Sequence, residues 1–258
     1  MIEVKNITKS FDGRSVIHDI DVVFETGKTN LIIGRSGSGK TVLLKNIIGL
    51  ITPDQGDILF DGRSTLSMNK KEILNLRREM GLLFQGSALF DSMTVLENVM
   101  FPLDMFSQEP ARERRKRAMM SLERVALTEE TYNLFPSEIS GGMMKRAAIA
   151  RAIVLQPKYL LCDEPNSGLD PKTSLIIDEL IHGITKEYGM TTIINTHDMN
   201  SVMNIGESII FINEGKKEWN GTREQVVSSN NKALNDFIFA SDLLRKAKKI
   251  EDESEREG

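Results

Sequence analysis

Eight residues near the N-terminus have the composition that a phosphate-binding backbone requires. Residues 34–41 read Gly-Arg-Ser-Gly-Ser-Gly-Lys-Thr, which fits the pattern GxxxxGK[ST]. Glycine lets consecutive backbone N–H groups converge on phosphate oxygens without Cβ clashes, and a following helix N-terminus adds its positive dipole end. In this pattern the lysine approaches the β- and γ-phosphates, and the threonine hydroxyl faces Mg²⁺. The residues assigned to this site are Gly34, Ser36, Gly37, Ser38, Gly39, Lys40 and Thr41.

Two adjacent acids follow the short apolar segment 159–162. Asp163, at the end of a buried strand, suits Mg²⁺ through a water shell, because Mg²⁺ prefers oxygen ligands and keeps several waters. Glu164 would point toward a γ-phosphate and accept the proton of an attacking water. The alternatives are a glycine-rich turn without a ligand, and two acids that merely end a strand before Pro165. The second alternative would leave the phosphate loop without a metal partner.

Apolar strands and helices alternate around these residues. A short apolar strand at 31–33 precedes the phosphate loop, and a helix is predicted from 40 to about 48. Strands alternating with helices indicate a mostly parallel α/β sheet. The N-terminal residues instead alternate apolar and polar side chains between turn signals, which is typical of β-strands. Further helices are predicted at 70–78, 111–126 and 173–187, and further strands at 57–60, 159–162, 191–194 and 208–212.

The middle of the chain breaks the alternation of strands and helices. Residues 86–157 are mainly helical, so we interpret them as a helical subdomain inserted into an α/β core formed by 1–85 and 158–222. Residues 223–258 form a C-terminal helical extension, and its acidic end at 251–258 is predicted to be disordered. The apolar pattern at 233–239 predicts docking on its own domain or, alternatively, on a partner copy.

Composition narrows the class of protein. A formal net charge of −4 gives no electrostatic argument for a nucleic-acid partner. No apolar run approaches the roughly 20 residues that span a bilayer, and the N-terminus has no signal-peptide pattern. A single cysteine, Cys162, fits a reducing cytosol. We therefore expect a cytoplasmic protein, and any membrane-spanning helices must come from another subunit.

The segment at 139–153 resembles the signature motif of ABC transporter ATPases. It contains Ser140, Gly141 and Gly142, and it lies about twenty residues before the two acids, as in that family. The resemblance implies a RecA-like sheet with an N-terminal antiparallel β subdomain and an inserted helical subdomain. It also implies that this helix N-terminus binds the γ-phosphate of ATP held by a second copy of the chain. Hydrolysis would then let the dimer open.

Four other positions match functional residues of the same family. The resemblance implies that Phe11 stacks on adenine, that Gln85 reaches the metal and the attacking water, and that His197 contacts the γ-phosphate. It also implies that the loop ending at Asp170 crosses the dimer interface. The alternatives are a buried aromatic for the first, a solvated loop residue for the second, and a capping histidine for the third.

A second, more specific resemblance to one group of these ATPases concerns the transported substrate. Residues 83–95 and Met143 look like the ATPases of Mla-type systems, which move phospholipid with an integral-membrane permease and an MCE-domain protein. This implies a peripheral position on the cytoplasmic face of the inner membrane. Ala88, Leu89, Phe90 and Phe101 would contribute to the permease groove or, alternatively, to plain subdomain core.

Three other functions compete with phospholipid transport. The loop 166–170 is closer to that of general ABC importers, so an amino-acid importer is the first alternative. A non-transport ABC ATPase of DNA repair would need a long heptad insertion or paired modules, and neither is present. A metabolite kinase has no reason to carry the Ser-Gly-Gly segment at a second helix N-terminus.

Overall fold

The computed structural model describes residues 1–239, which form ten strands in two sheets. A long N-terminal hairpin opens the chain and turns at Asp12 and Gly13, both of which have positive φ. The strands are β1 (Ile2–Phe11), β2 (Arg14–Phe24), β3 (Thr29–Ile33), β4 (Gln55–Phe60), β5 (Arg63–Ser64), β6 (Met80–Leu83), β7 (Tyr159–Asp163), β8 (Thr191–Thr196), β9 (Ser208–Asn213) and β10 (Lys216–Gly221).

The two sheets differ in strand direction. The six-stranded sheet has the order β10-β9-β3-β8-β7-β6, and all its pairs are parallel except the one between β9 and β10. The four-stranded sheet has the order β2-β1-β4-β5 and is antiparallel. Strands β3 and β8 are buried along their whole length, because a parallel sheet is covered on both faces. The predicted fold class is confirmed.

Ten α-helices complete the described part of the chain. The long predicted helices are found, but the predicted helix at 111–126 ends at Arg124, because Ala126 adopts a left-handed φ of 56°. The helices are α1 (Lys40–Ile48), α2 (Lys70–Arg78), α3 (Val95–Phe106), α4 (Ala111–Arg124), α5 (Glu129–Tyr132), α6 (Gly141–Ile153), α7 (Pro171–Tyr188), α8 (Met199–Ile205), α9 (Arg223–Val227) and α10 (Lys232–Ile238).

Helices α3 to α6 fall inside the segment predicted as a helical subdomain. Their apolar faces share one core with the parallel sheet, and α3, α4 and α6 pack against one another. The capping box of Thr94 and Glu97 starts α3, and Pro102 lies within that helix. The boundaries 86 and 157 stay a prediction. No helix among residues 1–239 is both long and apolar enough to cross a bilayer.

Helix α10 docks on its own chain, as the apolar pattern predicted. Leu234 and Ile238 are buried in the main core, and the ring of Phe237 lies 5.5 Å from that of Phe211 on β9. Arg35, in the phosphate loop, donates to the backbone oxygen of Asp236 at 3.4 Å. The predicted disordered end at 251–258 lies outside the described residues.

Candidate active site

The predicted site residues follow neighbouring strands of the parallel sheet. Strands β3, β8 and β7 are adjacent, and their carboxyl ends lie at one edge. The phosphate loop follows β3, Asp163 is the last residue of β7, and His197 directly follows β8. Ligands of open α/β sheets bind at this edge, because the connecting loops there converge. Topology therefore brings residues far apart in sequence to one place.

The backbone of the phosphate loop leaves no room for side chains at two glycines. A Cβ on Gly34 would lie 2.2 Å from the backbone oxygen of Ile212, and one on Gly39 would lie 2.7 Å from a methyl of Ile17. Gly39 also has a φ of 107°, which glycine adopts without strain. The hydroxyl of Ser38 is buried and has no partner among the described residues. This cradle, with an unpaired donor inside it, fits a phosphate group.

Lys40 is the buried cation of the loop. Its side chain is 6% exposed, and Nζ donates to the backbone oxygens of Gly34 and Arg35 at 2.8 and 3.1 Å. Burial lowers the pKa of Lys40, and the nearby carboxylates of Glu164 and Asp163 oppose that shift. Carbonyl oxygens and carboxylates hold the ammonium in the loop, where it can move onto phosphate oxygens.

Two oxygen ligands for a metal lie side by side. The hydroxyl of Thr41 donates to Oδ1 of Asp163 at 3.3 Å, and the side-chain amide of Asn195 donates to the same oxygen at 3.0 Å. Asn195 is completely buried on β8, so it fixes the orientation of the carboxylate. A hydroxyl and a carboxylate are the oxygen donors that Mg²⁺ takes, so the residues present fit this metal.

Glu164 lies between the lysine and the histidine. Its Oε2 is 2.8 Å from Nδ1 of His197, and its Oε1 is 4.0 Å from Nζ of Lys40. The carboxylate is 16% exposed, whereas the His197 side chain is 66% exposed. A largely buried carboxylate at the mouth of a phosphate cradle is placed to accept a proton from water.

Gln85 connects this edge of the sheet to two other segments. Its side-chain amide donates to the hydroxyl of Ser167 at 3.0 Å, on the loop after Glu164. Its backbone oxygen accepts a hydrogen bond from Nζ of Lys145, which is 4% exposed on α6. The pKa of Lys145 is lowered by burial. Gln85 therefore lies where the sheet, the Glu164 loop and the helical subdomain meet.

The signature segment, Ser140 to Gly142, begins helix α6. Ser140 is exposed, and its hydroxyl accepts the backbone N–H of Met143 at 3.3 Å as an N-cap. A Cβ on Gly142 would lie 2.9 Å from the methyl of Thr173 on α7, so glycine is needed for this close approach. The signature segment thus packs beside the N-terminus of α7.

Asp170 caps the N-terminus of α7. Its carboxylate accepts both the backbone N–H and the hydroxyl of Thr173, at 3.0 and 2.5 Å. These hydrogen bonds lower the pKa of Asp170. Its side chain is therefore engaged in its own helix, close to the signature segment and on the exposed surface.

A cavity of about 660 Å³ brings one group of predicted residues together. Phe11 does not line it: this residue is 41% exposed, outside the core, with Nζ of Lys9 5.5 Å from its ring centroid. Among the described residues, neither the signature segment nor Asp170 lines the cavity. The predicted residues that line it are Ser36, Gly37, Gly39, Lys40, Thr41, Gln85, Glu164 and His197.

Sequence reasoning assigned no site role to several residues at or near this cavity. Asn195 and Lys145 orient Asp163 and Gln85, and a signal for the first was available, since an amide inside an apolar strand needs a partner. Val16 and Phe237 line the cavity from β2 and α10. The apolar pattern at 233–239 predicted that the segment of Phe237 docks, but not that it docks at this cavity. Both residues come from elements that only the folded chain places beside the phosphate loop.

Curated relatives align with most of the chain. The protein-family model described as ABC transporter matches residues 17–167. The intermembrane phospholipid transport system ATP-binding protein MlaF of Haemophilus influenzae is 38% identical over 92% of this chain and 90% of its own length. The probable ribonucleotide transport ATP-binding protein mkl of Mycobacterium leprae is also 38% identical, over 92% and 68%. The methionine import ATP-binding protein MetN of Clostridioides difficile is 37% identical over 95% and 75%.

Solved structures agree with this assignment. The dimeric structure of MJ0796, described as a bacterial ABC transporter cassette, has a TM-score of 0.79 and 34% identity, over 86% of this chain and 99% of that one. A second dimeric structure of MJ0796, in a post-hydrolysis state bound to ADP and Pi, has the same TM-score and 33% identity, over the same shares. The chain therefore belongs to the ABC transporter family, as an ATP-binding subunit that hydrolyses ATP.

Proposed function

We propose that the cavity behind the phosphate loop is the hydrolytic site and that Glu164 is its general base. Lys40 and the loop amides bind the phosphates, and the exposed ring of Phe11 stacks on adenine. Thr41, Gln85 and, through water, Asp163 would hold Mg²⁺, which would neutralise phosphate charge. The observation that carries this proposal is the contact of one buried carboxylate with both Lys40 and His197.

Each hydrolytic site needs a second copy of the chain. The signature segment is a helix N-terminus with exposed polar groups, and it does not line the cavity that contains Lys40. A helix N-terminus that binds phosphate must meet that phosphate directly. We infer that it meets ATP held by the partner copy, so that two ATP molecules lie between two chains, with Asp170 at the same interface. The dimeric structures described for MJ0796 support this arrangement.

The test uses a trapped dimer. Glu164→Gln should retain ATP and accumulate as a dimer in size-exclusion chromatography with light scattering. Ser140→Arg in the same background should give a monomer whose ATP affinity, measured by calorimetry, is unchanged. The matched control is Ser137→Arg, which adds the same charge at an exposed position three residues earlier and should leave the dimer intact. A dimer that persists in the Ser140→Arg variant would refute shared sites.

For the transported substrate, we propose phospholipid in an Mla-type envelope system. Two MlaF proteins, at 38% and 35% identity, and the methionine at position 143 support this choice. The membrane partner would be a permease with an MCE-domain protein, and the chain would lie on the cytoplasmic face of the inner membrane. Phe90 is 41% exposed, and its ring is 4.8 Å from that of Phe101, so these aromatics are available for a permease helix.

Amino-acid import is the second candidate. A MetN protein is 37% identical to this chain, and the loop 166–170 fits such importers. The membrane complex should be purified through a tag on this chain, reconstituted in liposomes and assayed for ATP hydrolysis. Co-purification of an MCE-domain protein, with turnover that depends on phospholipid, supports the first candidate. A periplasmic solute-binding protein, with turnover that depends on an amino acid, supports the second.

A further inference from the structure

Three polar side chains meet inside the protein between the Glu164 loop and helices α7 and α8. The side-chain amide of Asn166 donates to Oδ1 of Asp178 at 2.7 Å and to the hydroxyl of Ser201 at 3.0 Å. Asp178 and Ser201 are each 1% exposed. We call these three residues the Asp178 junction. A buried carboxylate costs stability unless it is well bonded, so its presence in this position needs a reason.

Each member of the Asp178 junction belongs to a segment that carries a proposed site residue. Asn166 lies two residues after Glu164, and Ser201 lies four residues after His197. Asp178 is on α7, the helix that Asp170 caps. The junction therefore joins, at one point, the segments of the base, the histidine and the interface aspartate.

Glu164 is in a conformation that its neighbours must maintain. Its φ is +48°, a left-handed value that is uncommon outside glycine. Its backbone N–H donates to the oxygen of Asn195 at 3.0 Å, and its own oxygen accepts the N–H of Ser167 at 3.1 Å. Asn166 lies between these anchors, so its side-chain bonds are placed to hold the turn.

The junction also borders open space beside the site. A cavity of about 540 Å³ is lined by Asp178 and Asn166 together with Glu164 and His197. Without the junction, the loop and the histidine segment could move into this volume. A displacement of about 1 Å is enough to cost roughly 100-fold in rate, because reacting groups must be closely aligned.

Among residues 1–239, two side-chain oxygens of the Asp178 junction lack hydrogen-bond partners. Oδ2 of Asp178 and Oδ1 of Asn166 are both buried, and neither has a partner among the described residues. Burial raises the pKa of Asp178 to about 6, and the charges of Asp198 and Glu179 add to the rise. A proton on the carboxyl would provide a donor where two acceptors now lack one. An asparagine at 178 would provide such a donor permanently.

We propose that Asp178 is a positioning residue for ATP hydrolysis. Together with Asn166 and Ser201, it keeps the side chains of Glu164 and His197 aligned with each other. The proposal rests on the proposed roles of Glu164 and His197. The junction acts on the alignment of the reacting groups, and among the described residues its side chains have no hydrogen bond to the phosphate loop. It should therefore affect turnover more than nucleotide binding.

Steady-state hydrolysis by the purified full chain tests the proposal. Asp178→Ala should lower kcat roughly 10- to 100-fold, with KM for ATP changed less than about twofold. Asp178→Asn should restore most of kcat, because the amide can both accept from and donate to Asn166. The matched control is Thr185→Val, which removes buried hydrogen bonds from the same helix, to the oxygen of Ile181 and with the hydroxyl of Thr192.

The proposal is overturned if Asp178→Ala lowers kcat no more than Thr185→Val, or if Asp178→Asn is as slow as Asp178→Ala. Asn166→Ala removes the bonds to both Asp178 and Ser201 from a partly exposed position, and it tests the proposal even if Asp178→Ala does not fold. Losses in the Asn166→Ala/Asp178→Ala double variant should be far from additive, and additive losses would contradict the junction.

Glu164→Gln in the same assay separates two kinds of failure. If this variant hydrolyses ATP at the wild-type rate, the proposed site itself is wrong. If it is inactive while the variants at Asp178 behave like Thr185→Val, only the junction is wrong.

Discussion

Two helices of this protein begin at glycine-rich motifs, but they present their N-termini differently. Helix α1 begins after Gly39, which has no side-chain cap, and its free end forms the wall of a cavity. Helix α6 begins after Ser140, whose hydroxyl caps the helix, and its end is exposed. Both ends carry the partial positive charge that attracts anions. The phosphate loop thus lines a cavity, and we call it, with the residues around that cavity, the inward-facing half of the site. The signature segment is exposed, and we call it the outward-facing half.

Under the proposed function, this difference divides one reaction between two surfaces. Lys40 and Glu164 line the cavity at α1, and Asp163 bonds to Thr41 beside it, so the proposed cation, base and metal ligand all lie at that end. The described residues near the end of α6 include Leu169 and Thr173. In the proposed shared site, the signature segment binds an anion, and the base comes from the chain that holds the ATP.

Removing the base should have the largest effect on the inward-facing half. Glu164→Gln should lower kcat by about 10²- to 10⁴-fold, because the amide cannot accept a proton from water. ATP affinity should stay close to that of the wild type. Steady-state turnover and calorimetry would measure both quantities, with the exposed Glu179→Gln as the carboxylate control. Near-normal turnover would mean that another residue is the general base.

The folding stability of the chain should depend on pH through Asp178, which bonds to Asn166 in the Glu164 loop. Burial raises the pKa of this carboxyl to about 6, so its ionisation above that pH opposes folding. This contribution is absent below the unfolded pKa and is complete once the pH exceeds 6. Asp178→Asn should therefore be more stable than the wild type at pH 8, by up to about 3 kcal/mol, and not at pH 4. Thermal unfolding at both pH values checks this, and an equal difference at both would contradict it.

Lys40→Ala tests whether phosphate binding belongs to the inward-facing half. It should weaken ATP binding by roughly 10- to 100-fold, because a charge-assisted contact to phosphate contributes about 1.5–3 kcal/mol. The control is Lys45→Ala, an exposed lysine on the same helix. If calorimetry gives the same ATP affinity for both variants, the phosphates do not bind at this loop.

Phe11→Ala tests where the adenine ring lies relative to the inward-facing half. Loss of stacking should reduce ATP affinity by about 1–3 kcal/mol, and Phe11→Trp should preserve it. Binding of inorganic triphosphate should be unaffected, since it has no ring to stack. Equal losses for ATP and triphosphate would mean that the ring acts on the loop rather than on adenine.

The smallest effect should come from Ser140→Ala in the outward-facing half. Loss of the N-cap should lower the free energy of unfolding by about 1 kcal/mol, with the ATP affinity of the monomer unchanged. Chemical denaturation and calorimetry would measure these. A lower ATP affinity in the monomer would mean that the signature segment binds ATP in its own chain. The two helix ends would then serve the same site.

Much of the site could be predicted because its motifs are local. The phosphate loop is eight consecutive residues between a strand and a helix, and Asp163 and Glu164 directly follow an apolar strand. Strand β10 was not predicted because its residues are mostly polar, as an edge strand allows. Helix α3 lies in the segment predicted to be mainly helical, but no separate helix was predicted there, and it contains a proline. Patterns of two to four residues cannot show such cases, since tertiary packing overrides local propensity there.

The class of chemistry follows from the amino-acid sequence alone, because glycines, a lysine and paired acids at fixed spacing have few other uses. Which side chains orient these residues depends on the folded chain. Lys145 reaches the backbone of Gln85, Asn195 holds Asp163, and Asp178 bonds to Asn166. These contacts join different strands and helices, so they exist only once the parallel sheet has gathered its carboxyl ends at one edge. In the same fold, the signature segment, among the described residues, does not line the cavity that contains Lys40.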